Sequence, residues 1–169
     1  MADVTDTYYA AEGAVHGYAA QLQVGDGASP TEAFESIAGI VRITPGEMTT
    51  ADIDRTHLRS PDAHREHMPG IRDSGAFSCE AIWLPEHESQ SNVGGGSGSF
   101  ASGGLPALWR GRETHNFRIV LPIPGSPDGI VWPFRGYVSQ FQPGEIGVDD
   151  KINATVSFQP TEAYDADLP

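Results

Sequence analysis

The sequence has a single cysteine, a single lysine and no long apolar run. One cysteine, Cys79, excludes an internal disulfide and a cysteine-based zinc site. The apolar stretch from Ile119 to Ile123 is far shorter than the ~20 residues that a membrane-spanning helix needs. Residues 1–12 contain acids and no Lys or Arg, which is unlike a secretory signal. These absences predict a protein that is stabilised by its core alone and does not span a membrane.

Basic residues are scarce relative to acidic ones. The 169 residues include 23 Asp and Glu against 10 Lys and Arg, so the formal net charge is −13. A chain with this charge is not expected to bind nucleic acid through phosphate contacts. Residues 1–41 contain six acids and no base, and residues 143–169 contain six acids and one Lys. Two interpretations stay open: the acidic ends keep the protein soluble, or they lie near something negative that must not adhere.

Strand-like alternation recurs between the 20 glycines and 13 prolines, whereas helical periodicity is scarce. Half-buried strands are predicted at 76–83, 114–121 and 151–159, and longer, more mixed strands at 34–43 and 130–141. The two longer strands are expected either to be covered on both faces or to bend at Gly39 and Gly136. At least five strands with few helices predict a mainly β protein, a small β-sandwich or barrel-like domain over residues 31–162.

The remaining segments are predicted as one helix, two loops and two extended ends. A short flanking helix is expected from Leu105 to Glu113, with Pro106 in its first turn and an apolar stripe that includes Trp109. The Gly/Ser tract 89–104 is interpreted as a flexible loop. Residues 48–73 form a long polar loop without a repeating pattern, a kind that is usually functional. Residues 1–30 are expected to be an N-terminal arm and residues 163–169 a C-terminal tail.

Several residue clusters resemble a metal-binding or catalytic site, but each lacks a feature that such a site requires. His64 and His67, with Asp62 and Glu66 beside them, resemble metal ligands, but a third soft ligand at a useful spacing is missing. Residues 94–98 lack the Lys-Ser/Thr ending of a phosphate loop, and residues 96–99 are not a nucleophile elbow between a strand and a helix. Cys79 falls on the apolar side of its strand. We predict no enzyme, no catalytic residues, no metal and no cofactor.

Two other classes of protein remain as alternatives. The first is a non-catalytic β-sandwich that serves as a binding or adhesion module. It is disfavoured because Trp83, Trp109 and Trp132 lie on separate segments. The second is an enzyme or metal protein that uses His57, His64 and His67.

Two short motifs in the long loop carry a resemblance to a known family. They are Ile53-Asp54-Arg55-Thr56-His57-Leu58-Arg59-Ser60 and Met68-Pro69-Gly70-Ile71-Arg72-Asp73-Ser74-Gly75. Their order, between the predicted strands 34–43 and 77–83, resembles the tail tube (major tail) proteins of long-tailed bacteriophages, the lambda-like family. The resemblance continues at 116–121 and at 157–161, so it covers roughly residues 30–162.

The resemblance implies a structural virion protein whose β-sandwich assembles into hexameric rings that stack into a hollow tail tube. Sheet edges left open in the subunit would pair with neighbouring copies. The loop 48–73 and the termini would join successive rings, with contacts from a set that the two motifs supply. That set is Asp54, Arg55, Thr56, Leu58, Arg59, Ser60, Pro69, Gly70, Arg72 and Asp73. Reversing Arg59 and Arg72 to Glu should then block tube growth.

The tube would be a passive acidic conduit through which DNA slides during ejection without specific binding. The cleanest predicted strand has small uncharged residues on one face, Asn153, Thr155 and Ser157, and these are the candidates for the lumen wall. The family implies tape-measure, tail-tip and tail-terminator proteins as partners, assembly in the host cytoplasm and a place in the virion. A tube subunit of a contractile tail, a gene-transfer particle or an injection machine is the alternative within the same fold.

Overall fold

The computed structural model describes residues 17–58, 64–123, 126–147 and 151–162. Within these ranges the chain forms nine strands, one α-helix and one 3-10 helix, which confirms the prediction of a mainly β fold with one short helix. The strands are β1 Gln21–Gly25, β2 Phe34–Ser36, β3 Ile40–Thr44, β4 Thr49–Asp54, β5 His67–Asp73, β6 Phe77–Ile82, β7 His115–Ile123, β8 Ser126–Pro143 and β9 Asn153–Pro160. The helix α1 is Leu105–Gly111, and the 3-10 helix is Gly98–Phe100.

Seven strands form one antiparallel sheet in the order β2-β1-β7-β8-β9-β6-β3, and β4 and β5 pair separately. Strands β2 and β3 follow one another in the chain yet lie at opposite ends of this order. Only three residues join them: Ile37 donates its N–H to the carbonyl of Leu22 in β1, and Gly39 accepts from Ile82 in β6. The two ends of the sheet therefore meet, and the sheet curls around one core.

The core forms where the predicted alternation places apolar side chains on one face. In β6 and β9 every second residue is buried, as the sequence pattern predicts for half-buried strands. Aromatic rings fill the centre: Phe77 stacks on Phe134 with 4.3 Å between ring centroids, and Phe117 packs on Phe134 at 5.2 Å. Cys79 is 2% exposed within this core, so its predicted position on the apolar side is confirmed.

Strand β8 is long enough to pair with two neighbours in succession. Its first part pairs with β7 as far as Gly136, and from Gly136 onward it pairs with β9. A Cβ at Gly136 would collide with the backbone carbonyl of Gln159. Glycine is thus required at the position where the strand passes from one partner to the next, the position at which the sequence predicts a bend.

The single bent strand predicted for residues 34–43 is wrong, because the chain forms two strands there. Gly39 has a φ of +72°, a left-handed conformation that favours glycine, and it turns the chain from β2 into β3. A Cβ at Gly39 would also lie 2.8 Å from the carbonyl oxygen of Ile82. The apolar residues on both sides of the turn face the same core, so the pattern alone reads as one continuous element.

The sheet reaches further toward the N-terminus than the expected arm over residues 1–30 allows. Strand β1 lies inside that segment, and its residues Leu22 and Val24 are buried in the core. With five residues and only two apolar positions, β1 is too short to show a convincing alternation. Residues 1–16 and the expected tail 163–169 lie outside the described residues.

Helix α1 begins and ends as the sequence predicts, within two residues. Pro106 lies in its first turn, and Arg112, in a left-handed conformation, follows its last residue. Leu105 and Leu108 are buried against the sheet, but Trp109 is 47% exposed. The predicted apolar stripe is therefore narrower than expected, and Trp109 lies at its solvent edge.

The Gly/Ser tract 89–104 packs against the sheet, so the prediction of a flexible loop is wrong. Phe100 is 1% exposed in the core, and Ser89 and Gln90 are buried beside it. The glycines allow backbone segments to approach each other closely: a Cβ at Gly104 would collide with the backbone of Ser89. Composition alone does not distinguish a glycine that is needed for packing from one that confers mobility.

Hydrogen bonds between this tract and the strands explain why its polar side chains are buried. The Gln90 side-chain amide donates to the carbonyls of Ala38, at 2.7 Å, and Ile82, at 3.0 Å, and its oxygen accepts from the N–H of Leu84. The Ser99 hydroxyl donates to the carbonyl of Val24 at 2.7 Å. Burying these polar groups is tolerated because each has a partner.

Replacing Phe100 by alanine is expected to lower the free energy of unfolding by about 3–5 kcal/mol, the usual cost of emptying a buried phenylalanine site. Urea denaturation followed by fluorescence would measure it. The matched control is Val93→Ala in the same tract, which is 73% exposed and should change stability by no more than ~0.5 kcal/mol. Equally small effects for the two variants would contradict the packed arrangement.

Candidate assembly interface

Strands β4 and β5, within residues 48–73, form a β-hairpin, so the prediction of a loop without structure of its own is wrong. Strands β4 and β5 pair antiparallel, with Ile53 opposite Met68 and Asp54 opposite His67. Every residue of β4 is exposed, and all but one of β5 are exposed. Because neither face of this hairpin is buried, its sequence has no apolar alternation, and Pro69-Gly70 within β5 reads as a turn.

Local hydrogen bonds extend the hairpin beyond the two strands. The N–H of Arg55 donates to the carbonyl of Glu66 at 2.9 Å, and their side chains form an ion pair at 3.6 Å. The Thr56 N–H donates to the Asp54 carboxylate at 2.8 Å. Bonds from the Thr56 hydroxyl and backbone lower the pKa of Asp54. The carboxylate therefore stays charged and holds the chain where the strands end.

The residues predicted to make stacking contacts are brought together on this hairpin. Asp54, Arg55, Thr56 and Leu58 lie at the far end of β4 and just beyond it, whereas Pro69, Gly70, Arg72 and Asp73 belong to β5. Arg59 and Ser60 lie outside the described residues. The placement of the other eight residues on one exposed element is established, and the role of the whole set in stacking stays a prediction.

Sequence reasoning missed the apolar side chains that the hairpin exposes. Ile71 is 86% exposed, Leu58 is fully exposed, and Ile53 and Met68 are opposite each other and largely exposed. A run with β-branched Thr49, Thr50 and Ile53, facing a second run across turn residues, was a signal for a hairpin. Exposed apolar side chains on one projecting element mark a surface that another protein covers.

A second surface is the polar face of the half-sheet formed by β3, β6, β9 and the second part of β8. Asn153, Thr155 and Ser157 lie on this face, opposite the core-facing Ala154, Val156 and Phe158 of the same strand. The register places further polar residues beside them in two rows. The rows are Thr44, Ser78, Ser157 and Gln140, and then Arg42, Glu80, Thr155 and Gln142.

This polar face carries almost no net charge. Arg42 lies directly opposite Glu80 in the register, and the Asn153 amide donates to the Glu80 carboxylate at 3.0 Å. The Gln140 amide donates to the oxygen of Gln142 at 2.9 Å. Two side-chain hydrogen bonds thus run along the surface of the sheet, and the opposite charges of Arg42 and Glu80 lie side by side.

The same half-sheet has two edges without a backbone partner in the described part of the chain. Strand β3 pairs with β6 on one side only, and residues 137–143 of β8 pair with β9 only, since β7 ends its pairing at Gly136. These edges lie on opposite sides of the four strands. An unpaired edge presents a row of N–H and C=O groups that pairs readily with a strand of another chain.

The histidines singled out in the sequence do not form a metal site in the described residues. His67 contacts the Asp52 carboxylate at 2.7 Å, and no group of three His, Cys, Asp or Glu side chains in the described ranges could hold a metal ion.

Burial raises the pKa of the Cys79 thiol to about 12. Across the described residues, no helix has the length and apolar character to cross a membrane.

In the described residues, the sheet has two edges without a backbone partner and the hairpin has almost no buried side chain. This combination is typical of one class of protein, the structural subunit that assembles with copies of itself. The chain belongs to the lambda phage tail tube protein family, whose sequence profile matches residues 18–163. The resemblance seen in the sequence is thereby confirmed. No curated protein matches the sequence.

Solved structures of tube-forming particles share the fold. A chain from the tail of an empty gene transfer agent particle, refined with C6 symmetry, matches with a TM-score of 0.61 and 14% identity over 90% of this chain and 100% of that chain. A chain from an extracellular contractile injection system, in its sheath–tube complex, matches with a TM-score of 0.59 and 11% identity over 96% of both chains. At these identities the likeness concerns the fold.

Proposed function

We propose that this protein is the structural subunit of a phage tail tube, built from six-membered rings that stack into a hollow conduit for DNA. The observation that carries the proposal is the family match over residues 18–163. The six-fold order is suggested by the gene transfer agent tail, which was computed with C6 symmetry. The tube role requires no turnover, in keeping with a non-enzymatic structural family.

Ring closure follows from the two open edges of the half-sheet. Its strands run alternately in the order β3, β6, β9, β8, so β3 and β8 point in opposite directions. A ring axis relates copies without reversing them. Strand β3 of one copy would therefore lie antiparallel to residues 137–143 of the next, and the alternation continues across the boundary. Repetition around the ring gives one closed barrel with no edge left open.

The polar face of the half-sheet would then line the channel. Asn153, Thr155 and Ser157 lie at its centre, and the only base in the two rows, Arg42, is opposite Glu80. Each Lys or Arg contact with a phosphate releases counterions and adds to DNA affinity. A wall whose one base lies beside a carboxylate offers DNA little to adhere to, and the net charge of −13 on each subunit adds long-range repulsion.

Stacking of rings is assigned to the hairpin of β4 and β5. Its apolar side chains and its arginines, Arg55, Arg65 and Arg72, are exposed in the subunit and would be covered by the next ring. Ring stacking is a head-to-tail contact that repeats without closing, so it grows a filament. The tape-measure, tail-tip and tail-terminator proteins would bind at the ends of this filament, in a virion assembled in the host cytoplasm.

The same proposal extends to the tube of a gene-transfer particle or a contractile injection machine. The observation that favours this extension is that the similar structures come from these particles. In such a particle the subunit would form the same hollow tube, so its proposed role is unchanged and only the surrounding particle differs.

Negative-stain microscopy of the purified protein at increasing concentration tests the proposal. We expect rings with six-fold averages and hollow tubes, and sedimentation that becomes heavier as the concentration rises. A bovine-serum-albumin sample of equal concentration controls for stain artefacts. A monomer at every concentration, with neither rings nor tubes, would overturn the proposed function.

A further inference from the structure

An aromatic cleft lies between helix α1, the end of β6 and the Gly/Ser tract. Its volume is about 390 Å³, and its lining is mostly aromatic side chains and prolines. The apolar members of the lining are Trp83, Pro85, Val93, Pro106, Trp109 and Phe141. Trp83 and Trp109 come from separate segments of the sequence, and the fold brings them to one cleft that none of the described residues fills.

The cleft and the hairpin lie at opposite ends of the half-sheet. The hairpin departs after Thr44 of β3 and returns before Phe77 of β6, where those strands pair with each other. The cleft begins at Trp83, immediately after β6 ends, and the Trp83 N–H donates to the carbonyl of Ile152 just before β9. Head-to-tail stacking of identical rings brings one end of each subunit against the opposite end of the next.

The cleft end is acidic, whereas the far end of the hairpin carries both signs of charge, with Arg55 paired to Glu66 at 3.6 Å and Arg65 beside them. The segments 84–92 and 144–147 at the cleft end contain Glu86, Glu88 and Glu145 and no Lys or Arg. The far end of the hairpin exposes Arg55 and Arg65. Arg110, the one base that lines the cleft, donates to the side chain of Asn92. Opposite charges around an apolar centre fix the register of a contact and exclude wrong partners.

We propose that this cleft is the acceptor for the hairpin of a second copy of the chain in the adjacent ring. The inference rests on the proposed function, in which the hairpin joins rings. The apolar side chains Ile53, Leu58 and Met68 enter the cleft between Trp83 and Trp109, and the hairpin arginines face the glutamates around it. The packed Gly/Ser tract forms one wall of the acceptor. The buried side chains of the tract would hold this wall in a fixed position.

Val93→Arg tests the acceptor without disturbing the core. Val93 lines the cleft and is 73% exposed, so an arginine there is accommodated by the fold while it places a cation in the path of the hairpin. We expect rings to form as in the wild type and tubes to be lost, seen by negative-stain microscopy and sedimentation. The matched control Val131→Arg, at an exposed valine of β8 outside the cleft, should still form tubes.

Cross-linking reports the contact itself. A Leu58→Cys, Val93→Cys double variant treated with a short bis-maleimide is expected to give ladders of covalent multimers only after tubes form, and the buried thiol of Cys79 should not react. Tubes of normal length from Val93→Arg, or tubes without cross-linked ladders, would overturn the acceptor while leaving the tube role intact. Wild-type protein that forms neither rings nor tubes would instead overturn the proposed function, and the acceptor with it.

Discussion

Replacement of residues 50–72 by an Asn-Gly turn should abolish tube growth and leave the seven-stranded sheet folded. Thr49 and Asp73 are opposite each other in the register, so a two-residue turn can join them. Of the removed residues that the structure describes, 50–58 and 64–72, none contributes a side chain to the core. The sheet therefore loses nothing that stabilises it, whereas a tube would lose the exposed apolar and basic side chains that contact the next ring.

Circular dichroism, the urea midpoint and negative-stain microscopy would measure the outcome together. The variant should keep the wild-type midpoint and a β-sheet spectrum that has lost only the contribution of β4 and β5, and it should form rings, because the open edges of β3 and β8 are untouched. The double variant Arg59→Glu, Arg72→Glu keeps the full-length hairpin and is expected to lose tubes through charge reversal alone. Tubes of normal length from the shortened chain would show that another surface joins the rings.

The strands that the sequence reveals are those that divide their residues between core and solvent. Strand β9 alternates Ala154, Val156 and Phe158 with polar residues, and the structure buries those three. Hairpin strand β4 has no buried residue, so the physical cause of a period of two is missing, and its β-branched residues are the remaining signal of a strand. An element whose partner is another copy of the chain shows its burial only in the assembly.

Glycines explain the two other differences between sequence and structure. At Gly39 a left-handed turn divides one apolar run into two strands at opposite ends of the sheet order, and no local pattern encodes that separation. At Gly104 the absence of a side chain allows backbone contact with Ser89, so a tract that looks like a linker is packed. Both effects depend on residues distant in the sequence, which single-sequence reasoning does not see.

The candidate site also has one part that could be predicted from the sequence and one part that could not. The motifs around Asp54 and Pro69 predict a joining element through family resemblance, and the structure places them on one hairpin whose role in joining stays a proposal. The cleft between Trp83 and Trp109 assembles from three separate segments, and so the tryptophans look unrelated in the sequence. Resemblance locates the part of a contact that lies in one continuous motif, and the fold is needed to locate the part that is built from several.

The lumen assignment leads to the prediction with the largest functional effect. Thr155→Lys is expected to convert a conduit that does not retain DNA into one that does. Thr155 is exposed at the centre of the polar face, so the lysine is tolerated by the fold. With six copies in each ring, a tube would carry a regular band of cations along its channel, and each phosphate contact adds counterion release to the affinity.

Short duplex DNA incubated with assembled tubes, followed by nuclease digestion, distinguishes a lysine in the channel from one outside. Thr155→Lys tubes should retain nuclease-protected DNA, with an affinity that falls steeply as salt rises, whereas wild-type tubes should retain none. The control Val131→Lys changes an exposed residue of β8 that lies outside the polar face, so any DNA bound there should remain digestible. If DNA bound to Thr155→Lys tubes is fully digested, then Thr155 faces the exterior and another face lines the channel.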